Sequence, residues 1–341
     1  MSKLLFEYGR LLRLPGLGAF SIGPIFGAIS LINVGVKINL ADIAVLLFIA
    51  VISNIYGFVL NDYADIEVDR LSKEPKKRPL ATGVISKKIA IFICVFSIII
   101  VYLTVFMYFY KNQLSFFIGL FYLTIAFILV FIYNMYGKKV VGSDFLIAVS
   151  GALAVLFGAY IISSDGALSV FTWAIFILEF SQYLFGNAVV GGIKDSDHDF
   201  LRNVKNIALT SGVKIKKDKK IFIPRSFKAF GMTLRFIFAF GAFIPIIYGV
   251  QYKTWELALL ILSVIGLLII SAKMLSIKTM EPRDKLIRLG GLMGVLRLSV
   301  IPIMLLPLIG VLYAFILLIF PVIWYIIFTP LAGEKLFRHL T

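Results

Sequence analysis

The chain has 341 residues, 60% of them hydrophobic, with a mean hydropathy of +0.99 and a formal net charge of +16. This composition excludes an ordinary soluble globular protein and makes the bilayer the solvent against which the fold is read. It also argues against a nucleic-acid-binding surface, because the basic residues gather between apolar runs and are not spread over one soluble face.

Apolar runs of about twenty residues, the length a helix needs to cross the hydrocarbon core, fall near 14–36, 42–62, 86–109, 114–135, 143–163, 170–192, 230–250 and 255–275. The stretch 289–330 is long enough for two more. None shows the polar–apolar alternation of a membrane barrel, so the expected fold class is an all-α integral membrane protein of nine or ten transmembrane helices. The first run follows Lys3, Arg10 and Arg13 as in a signal peptide, but it is too long and others like it follow, so it reads as a mature helix. Cys94, the single cysteine, permits no intramolecular disulfide and no thiolate metal cluster, and it is expected to pack.

With ten spans, 29 of the 34 Lys and Arg fall on one side, and the opposite connections hold only Lys37, Lys111 and Lys253. The positive-inside rule assigns the rich side to the cytoplasm, and the expected location is the plasma membrane of a prokaryote. Nine spans would leave Lys335 and Arg338 outside. No linker divides the chain, so residues 1–341 are expected to form one domain with two cap loops, 64–85 and 194–228. Both loops begin with aspartates and continue into basic residues, which hints at an internal duplication with a site between the copies. The run KIKKDKK at 214–220 reads as a solvated or headgroup-facing surface.

On a helix, Asp62, Asp65 and Asp69 share one face, and Asn61 and Asn54 lie near it, because offsets of three, four and seven residues return to the same side. Asp195 and Asp199 repeat the i,i+4 spacing, while Asp197 points elsewhere. Aspartates at an interface can simply cap helices. Two clusters of carboxylates facing one cavity need compensation, however, since each costs about 2.5–3.5 kcal/mol at mid-bilayer. Magnesium suits oxygen donors of this kind, taking one or two carboxylates together with water and phosphate oxygens. No histidine or cysteine stands at zinc spacing, and His198 reads as solvated. Basic residues follow each cluster: Arg70, Lys73, Lys76, Lys77 and Arg78 the first, Lys194, Arg202 and Lys205 the second. Metal-bound carboxylates with nearby cations hold a diphosphate and stabilise its charge as it leaves. Within the spans, Glu179, Gln182 and Asn187 lie near one side of the sixth run. Glu179 faces the cavity as an acceptor-binding group or bonds neighbouring helices. Arg235 is expected to snorkel to the interface.

These residues resemble the UbiA superfamily of intramembrane prenyltransferases. Asn61-Asp62-Tyr63-Ala64-Asp65-Ile66-Glu67-Val68-Asp69 is similar to its N-D-x-x-D-x-x-x-D motif, and KRPLATG at 77–83 to its R-P-L-x-x-G. Asp195, Asp199 and Lys205 resemble its second motif, and YNMYGKK at 133–139 its Tyr-plus-basic element, with Tyr133 and Lys138. The resemblance implies a ring of about nine helices around a lipid-facing cavity. It further implies two Mg²⁺ and a prenyl diphosphate held by Asn61, Asp65, Asp69, Asp195 and Asp199, with Asp62 at a position of variable role among the metal-site aspartates. Arg70, Arg78, Lys138, Lys194 and Lys205 would bind the diphosphate, and Asn54, Tyr133, Glu179 and Asn187 would line the cavity or meet the acceptor. The chain departs from the pattern at Asn206-Ile207, where many members carry a threonine after the lysine, and in the extra Asp197.

The function expected is Mg²⁺-dependent transfer of a prenyl group, geranylgeranyl or similar, from its diphosphate to an aromatic or quinone precursor or a prenylglyceryl phosphate. Rival readings are a membrane terpene cyclase, a phosphoribosyltransferase acting on polyprenyl phosphate, and a cation-coupled secondary transporter. A transporter site favours broken helices near the midplane, whereas these aspartates adjoin basic loops at span ends.

Overall fold

The first apolar run is not one helix. In the computed structural model of the chain, which describes residues 3–70, 78–111, 113–196, 204–215, 220–279 and 283–333, α1 (Lys3–Leu11) stops short of Arg13, whose backbone is left-handed at φ 49. α2 (Leu14–Phe20) and α3 (Gly23–Ser30) follow, each with a proline in its first turn, where the missing N–H costs no helical bond.

The later runs form long helices, because in a bilayer every backbone polar group must be satisfied within its own segment. They are α4 (Leu40–Ala64), α7 (Lys87–Phe109), α8 (Leu114–Tyr136), α9 (Asp144–Ile162) and α10 (Val170–Leu184), with the short α5 (Ile66–Arg70) and α6 (Pro79–Thr82) between α4 and α7. Polar caps mark several starts: Asn39 and Asp42 form a capping box on α4, Ser86 accepts from Ile89 on α7, and Ser169 caps α10. α10 continues as a π-helix, Phe185–Gly191, into α11 (Gly192–Lys194). The chain ends with α12 (Ile207–Thr210), α13 (Arg225–Ile247), α14 (Thr254–Leu275), α15 (Arg283–Met304) and α16 (Leu306–Phe328). Among the described residues the all-helical reading is departed from by a small antiparallel hairpin in the second cap loop and by a bridge between Lys220 and Thr279. The hairpin joins β1 (Lys214–Ile215) to β2 (Ile221–Phe222), with Lys214 opposite Phe222, and the Ile221 N–H donates to the Lys278 carbonyl.

Among the described residues nine helical segments are long and apolar enough to cross a membrane, whereas the apolar part of α15, Leu289–Met304, is shorter. Contacts at the ends of the last two helices fix how often the chain traverses the layer. Tyr252, in the α13–α14 connection, donates to the Met304 carbonyl (2.6 Å), so α15 ends on the side opposite the aspartates. Gly9 lies against Leu331, and Gly333 against Phe6, so the chain returns beside α1, which packs on α6. α15 therefore runs from one face to the other as well, and the described residues make ten passages, with both described ends on the aspartate side.

The passages close into a ring. α8 packs on α9, α9 on α10, and α10 on α13; α14, α15 and α16 follow in turn, and α16 returns to α2. Trp324 seals that seam, its Nε1 donating to the Leu14 carbonyl (2.8 Å) while its side chain fills the space left by Gly18. α3 crosses α9 closely enough that a Cβ on Gly27 would strike the Val155 carbonyl and one on Gly158 the Pro24 carbonyl. Small residues at such crossings let membrane helices approach backbone to backbone. Cys94 is buried, its Sγ 3.9 Å from the Tyr56 carbonyl, as a packing residue.

Candidate active site

α4 stops at Ala64, and Asp65 sits in a turn (φ −94, ψ 4) before α5, so the first aspartates do not ride one unbroken helix. The i,i+4 bonding survives the turn nonetheless: Asp65 N donates to the Asn61 carbonyl (3.0 Å) and Asp69 N to that of Asp65 (2.8 Å). The carboxylates thus stay together. Asp62 is 1% exposed and held between two arginines, Arg13 Nη2 at 2.6 Å from Oδ1 and Arg78 Nη1 at 3.7 Å from Oδ2. Arg13 also donates to Asn61 Oδ1 (2.8 Å), and Asn61 Nδ2 donates to Asn134 Oδ1 (3.1 Å). Lys138, at the end of α8, donates to Asp65 Oδ1 (2.5 Å). Desolvation, then the neighbouring Asp65, pushes the Asp69 carboxyl above the usual carboxylate range; Arg78 opposes the shift, Asp62 adds to it, and Lys138 opposes it again.

Of the other expected diphosphate binders, Arg70 is exposed and paired with Glu67 (3.2 Å), and Lys194 is exposed at the end of α11. Asp195 caps α11 and is half-buried. Asp199 lies outside the described residues. The Lys205 N–H donates to the Lys138 carbonyl (3.0 Å), which brings the second cap loop to the first cluster. Tyr133 is half-buried one residue before Asn134.

Beneath this polar layer is a cavity of about 110 Å³ with a largely apolar wall that includes Phe20, Tyr56, Phe127, Phe157 and Tyr183. Asn54 lines it, about 12 Å below Asp62 at the helical rise of 1.5 Å per residue. Its amide nitrogen is committed to the carbonyls of Ala50 (2.9 Å) and Phe20 (3.2 Å) and to Ser21 Oγ (3.3 Å). Arg13 stands 5.0 Å over the Phe58 ring, and Phe58 meets Phe20 edge to face, so aromatic surface connects site to cavity. Asn187 bonds the Tyr183 carbonyl (2.9 Å) within the π-helix, a feature that tends to occur at functional sites. Glu179 is half-buried outside the cavity wall.

The expectation that Arg235 reaches the interface fails. It is 1% exposed, donating to Gln182 Oε1 (2.6 Å) and Ser271 Oγ (2.8 Å), because two neighbouring helices supply the acceptors that snorkelling would otherwise find at the surface. Sequence reading also missed Arg13 and Asn134 as site residues. In the sequence Arg13 is one of the basic residues directly before an apolar run, and nothing around it points to the aspartates. Asn134 lay inside a motif noted for its tyrosine and lysines.

The donor set is suited to a hard cation. Among the described residues no three acidic, histidine or cysteine side chains form a ready-made metal cage. A magnesium ion shared with phosphate oxygens needs only one or two carboxylates, however, and Asp65 and Asp69 beside the Asn61 amide meet that requirement.

A helical ring in the membrane, with carboxylates and cations at one end of an apolar cavity, defines the class: an intramembrane enzyme. The chain belongs to the UbiA prenyltransferase family, whose sequence profile matches residues 21–293. Membership sets aside the transporter reading. The chain is 29% identical over 165 residues to digeranylgeranylglyceryl phosphate synthase of Saccharolobus solfataricus, a stretch covering 46% of this chain and 52% of that protein. It is 26% identical over 162 residues to protoheme IX farnesyltransferase of Protochlamydia amoebophila, covering 47% and 54%. The matched stretches thus span about half the length of each relative. A solved digeranylgeranylglyceryl phosphate synthase shares the fold at TM-score 0.64 and 19% identity, covering 91% of this chain and all of that one. A UbiA homologue from Archaeoglobus fulgidus, solved with GPP and Mg²⁺, does so at TM-score 0.56 and 18% identity, covering 86% and 99%.

Proposed function

We propose that the chain transfers a prenyl group from a prenyl diphosphate to an amphipathic acceptor at the cytoplasmic end of the ring, with release of pyrophosphate. The observation that carries this reading is the clustering of Asn61, Asp62, Asp65 and Asp69 with Arg13, Arg78 and Lys138 above an apolar cavity. Asn61, Asp65, Asp69, Asp195 and Asp199 would hold Mg²⁺, which when bound neutralises the diphosphate and supports its departure. Asp62 acts through arginine and not through metal: it aims Arg13 and Arg78 at the diphosphate oxygens, with Lys138, Lys194 and Lys205 alongside. The C1–O bond breaks with its electron pair leaving on pyrophosphate. The allylic cation is captured by a carbon or oxygen nucleophile of the acceptor, which then gives up a proton. The apolar cavity keeps water from that cation and houses the tail.

The GPP- and Mg²⁺-bound homologue and the two curated relatives, one a farnesyltransferase and the other a digeranylgeranylglyceryl phosphate synthase by name, support this assignment. The test is mass spectrometry of products from purified protein, Mg²⁺, prenyl diphosphates of graded length and a panel of aromatic and glyceryl-phosphate acceptors. A prenylated acceptor that vanishes in EDTA and falls by about 10²-fold or more in Asp65→Asn is expected. Wild-type turnover in Asp65→Asn, or a cyclised hydrocarbon as the sole product, would overturn the assignment.

A further inference from the structure

The second cap loop carries a surface that the aspartate site does not use. Its hairpin alternates: Ile221 and Ile223 are buried in the core, while Phe222 between them is 56% exposed. Exposed Lys214 stands directly across from Phe222 on β1, and exposed Lys220 two residues before it. Residues two apart on a strand, and residues opposite each other on paired strands, share a face. One face of the hairpin therefore presents an aromatic ring between two lysines. Residues 216–219, the middle of the basic run at 214–220, lie outside the described residues.

Backbone contacts set the height of this face. The Ile221 N–H donates to the Lys278 carbonyl (3.0 Å), Lys220 bridges Thr279, and Phe222 stands just before α13 begins at Arg225. The hairpin is thus tied between the ends of two spanning helices, α13 and α14, at the level where lipid headgroups lie. Exposed Arg225, Lys273 and Lys278 and half-buried Lys228 surround it. Neither these four nor Lys214 forms an ion pair among the described residues. Among the described residues of the two cap loops no aromatic side chain but Phe222 is exposed. Cations alone would suit water, whereas an aromatic ring flanked by cations suits a boundary that is apolar below and negative above.

We propose that this face of the hairpin docks on the anionic phospholipids of the surrounding leaflet. Phe222 seats among the acyl chains, and Lys214, Arg225 and Lys278 meet the phosphates. Basic clusters at the ends of membrane spans bind anionic lipid by the same attraction.

Two measurements on full-length protein test the docking. In the first, phosphatidylglycerol and phosphatidylcholine are titrated onto detergent-purified protein and the bound lipid is counted by native mass spectrometry. Wild type is expected to hold the anionic lipid more tightly. Lys214→Gln/Lys278→Gln should lose about fivefold for each lysine removed, the worth of one basic side chain at an anionic surface. Lys111→Gln/Lys253→Gln, on the opposite side of the layer, should keep the preference. In the second, a nitroxide is attached at residue 222 of Cys94→Ser/Phe222→Cys, and its accessibility to oxygen and to a water-soluble nickel complex is read in nanodiscs. The label should be open to oxygen and shielded from nickel in phosphatidylglycerol discs, and less shielded in phosphatidylcholine discs or at high salt, which screens the attraction. Equal affinity of wild type for the two lipids, or loss of the preference in the opposite-side pair alone, would overturn the docking. So would a label open to nickel in both kinds of disc, which would turn this face to the solution and leave an acidic soluble protein as its occupant.

Discussion

Arg13 is the single non-glycine residue with left-handed backbone among those described. That conformation costs an L-residue roughly 1–2 kcal/mol. The guanidinium bonds to Asn61 and buried Asp62 offset it, and they tie the first passage to the aspartate cluster. The charge and the backbone can be separated by substitution. Arg13→Asn tolerates the backbone but removes the fork, so the protein should stay folded in detergent while turnover falls by about 10²-fold, the scale of losing one preorganised donor to a developing anion. Arg13→Lys should recover only part of the loss, because an ammonium cannot serve Asn61 and Asp62 with a planar fork. Asp62→Asn should resemble Arg13→Asn in raising the KM for prenyl diphosphate while leaving the Mg²⁺ requirement in place. If Asp62→Asn instead raised the Mg²⁺ requirement by an order of magnitude with an unchanged KM, Asp62 would be a metal ligand and not the organiser of two arginines.

At the scale of elements, the helices were legible because each apolar run had to satisfy its own backbone, and the Asn61-to-Asp69 face was legible because its spacing fits one side of a helix. Four features were not. The turn at Asp65 and the π-helix at Phe185–Gly191 insert local geometry into stretches whose helical spacing continues through them. The burial of Arg235 depends on Gln182 and Ser271 arriving from other helices, which the arginine's own neighbourhood in the sequence cannot show. The crossing of α3 and α9 is likewise a property of two elements together. Gly158→Val places carbon against the Pro24 carbonyl, and backbone on both sides has little room to yield. The thermal midpoint in detergent should drop by the equivalent of about 1–3 kcal/mol or more. Gly57→Ala is the matched control, since its new methyl group would meet Val130 at an ordinary 3.5 Å. It should leave the midpoint unchanged or raised by helix propensity. A Gly158→Val protein as stable as wild type would mean that the two helices can separate without loss.

For the whole molecule, charge and contacts agree about topology by independent routes. The positive-inside count needs no structure, and it favours ten passages because nine would strand the last basic residues on the sparse side. The contacts need no charge count: Tyr252 meets Met304 at one face of the layer, and Leu331 and Gly333 meet Gly9 and Phe6 at the other. α15 spans 22 residues, Arg283–Met304, a length that crosses the layer at the helical rise. α14 and α16 pack on its two flanks and hold it in the ring. The expected outcome is that a reporter fused after Thr341 reads the same compartment as one fused before Met1, and the compartment opposite to one inserted at Asp165. If the carboxyl-terminal reporter sided with Asp165, α15 would have to enter and leave by one face, and the seal of Trp324 against Leu14 at the closing seam could not form as described.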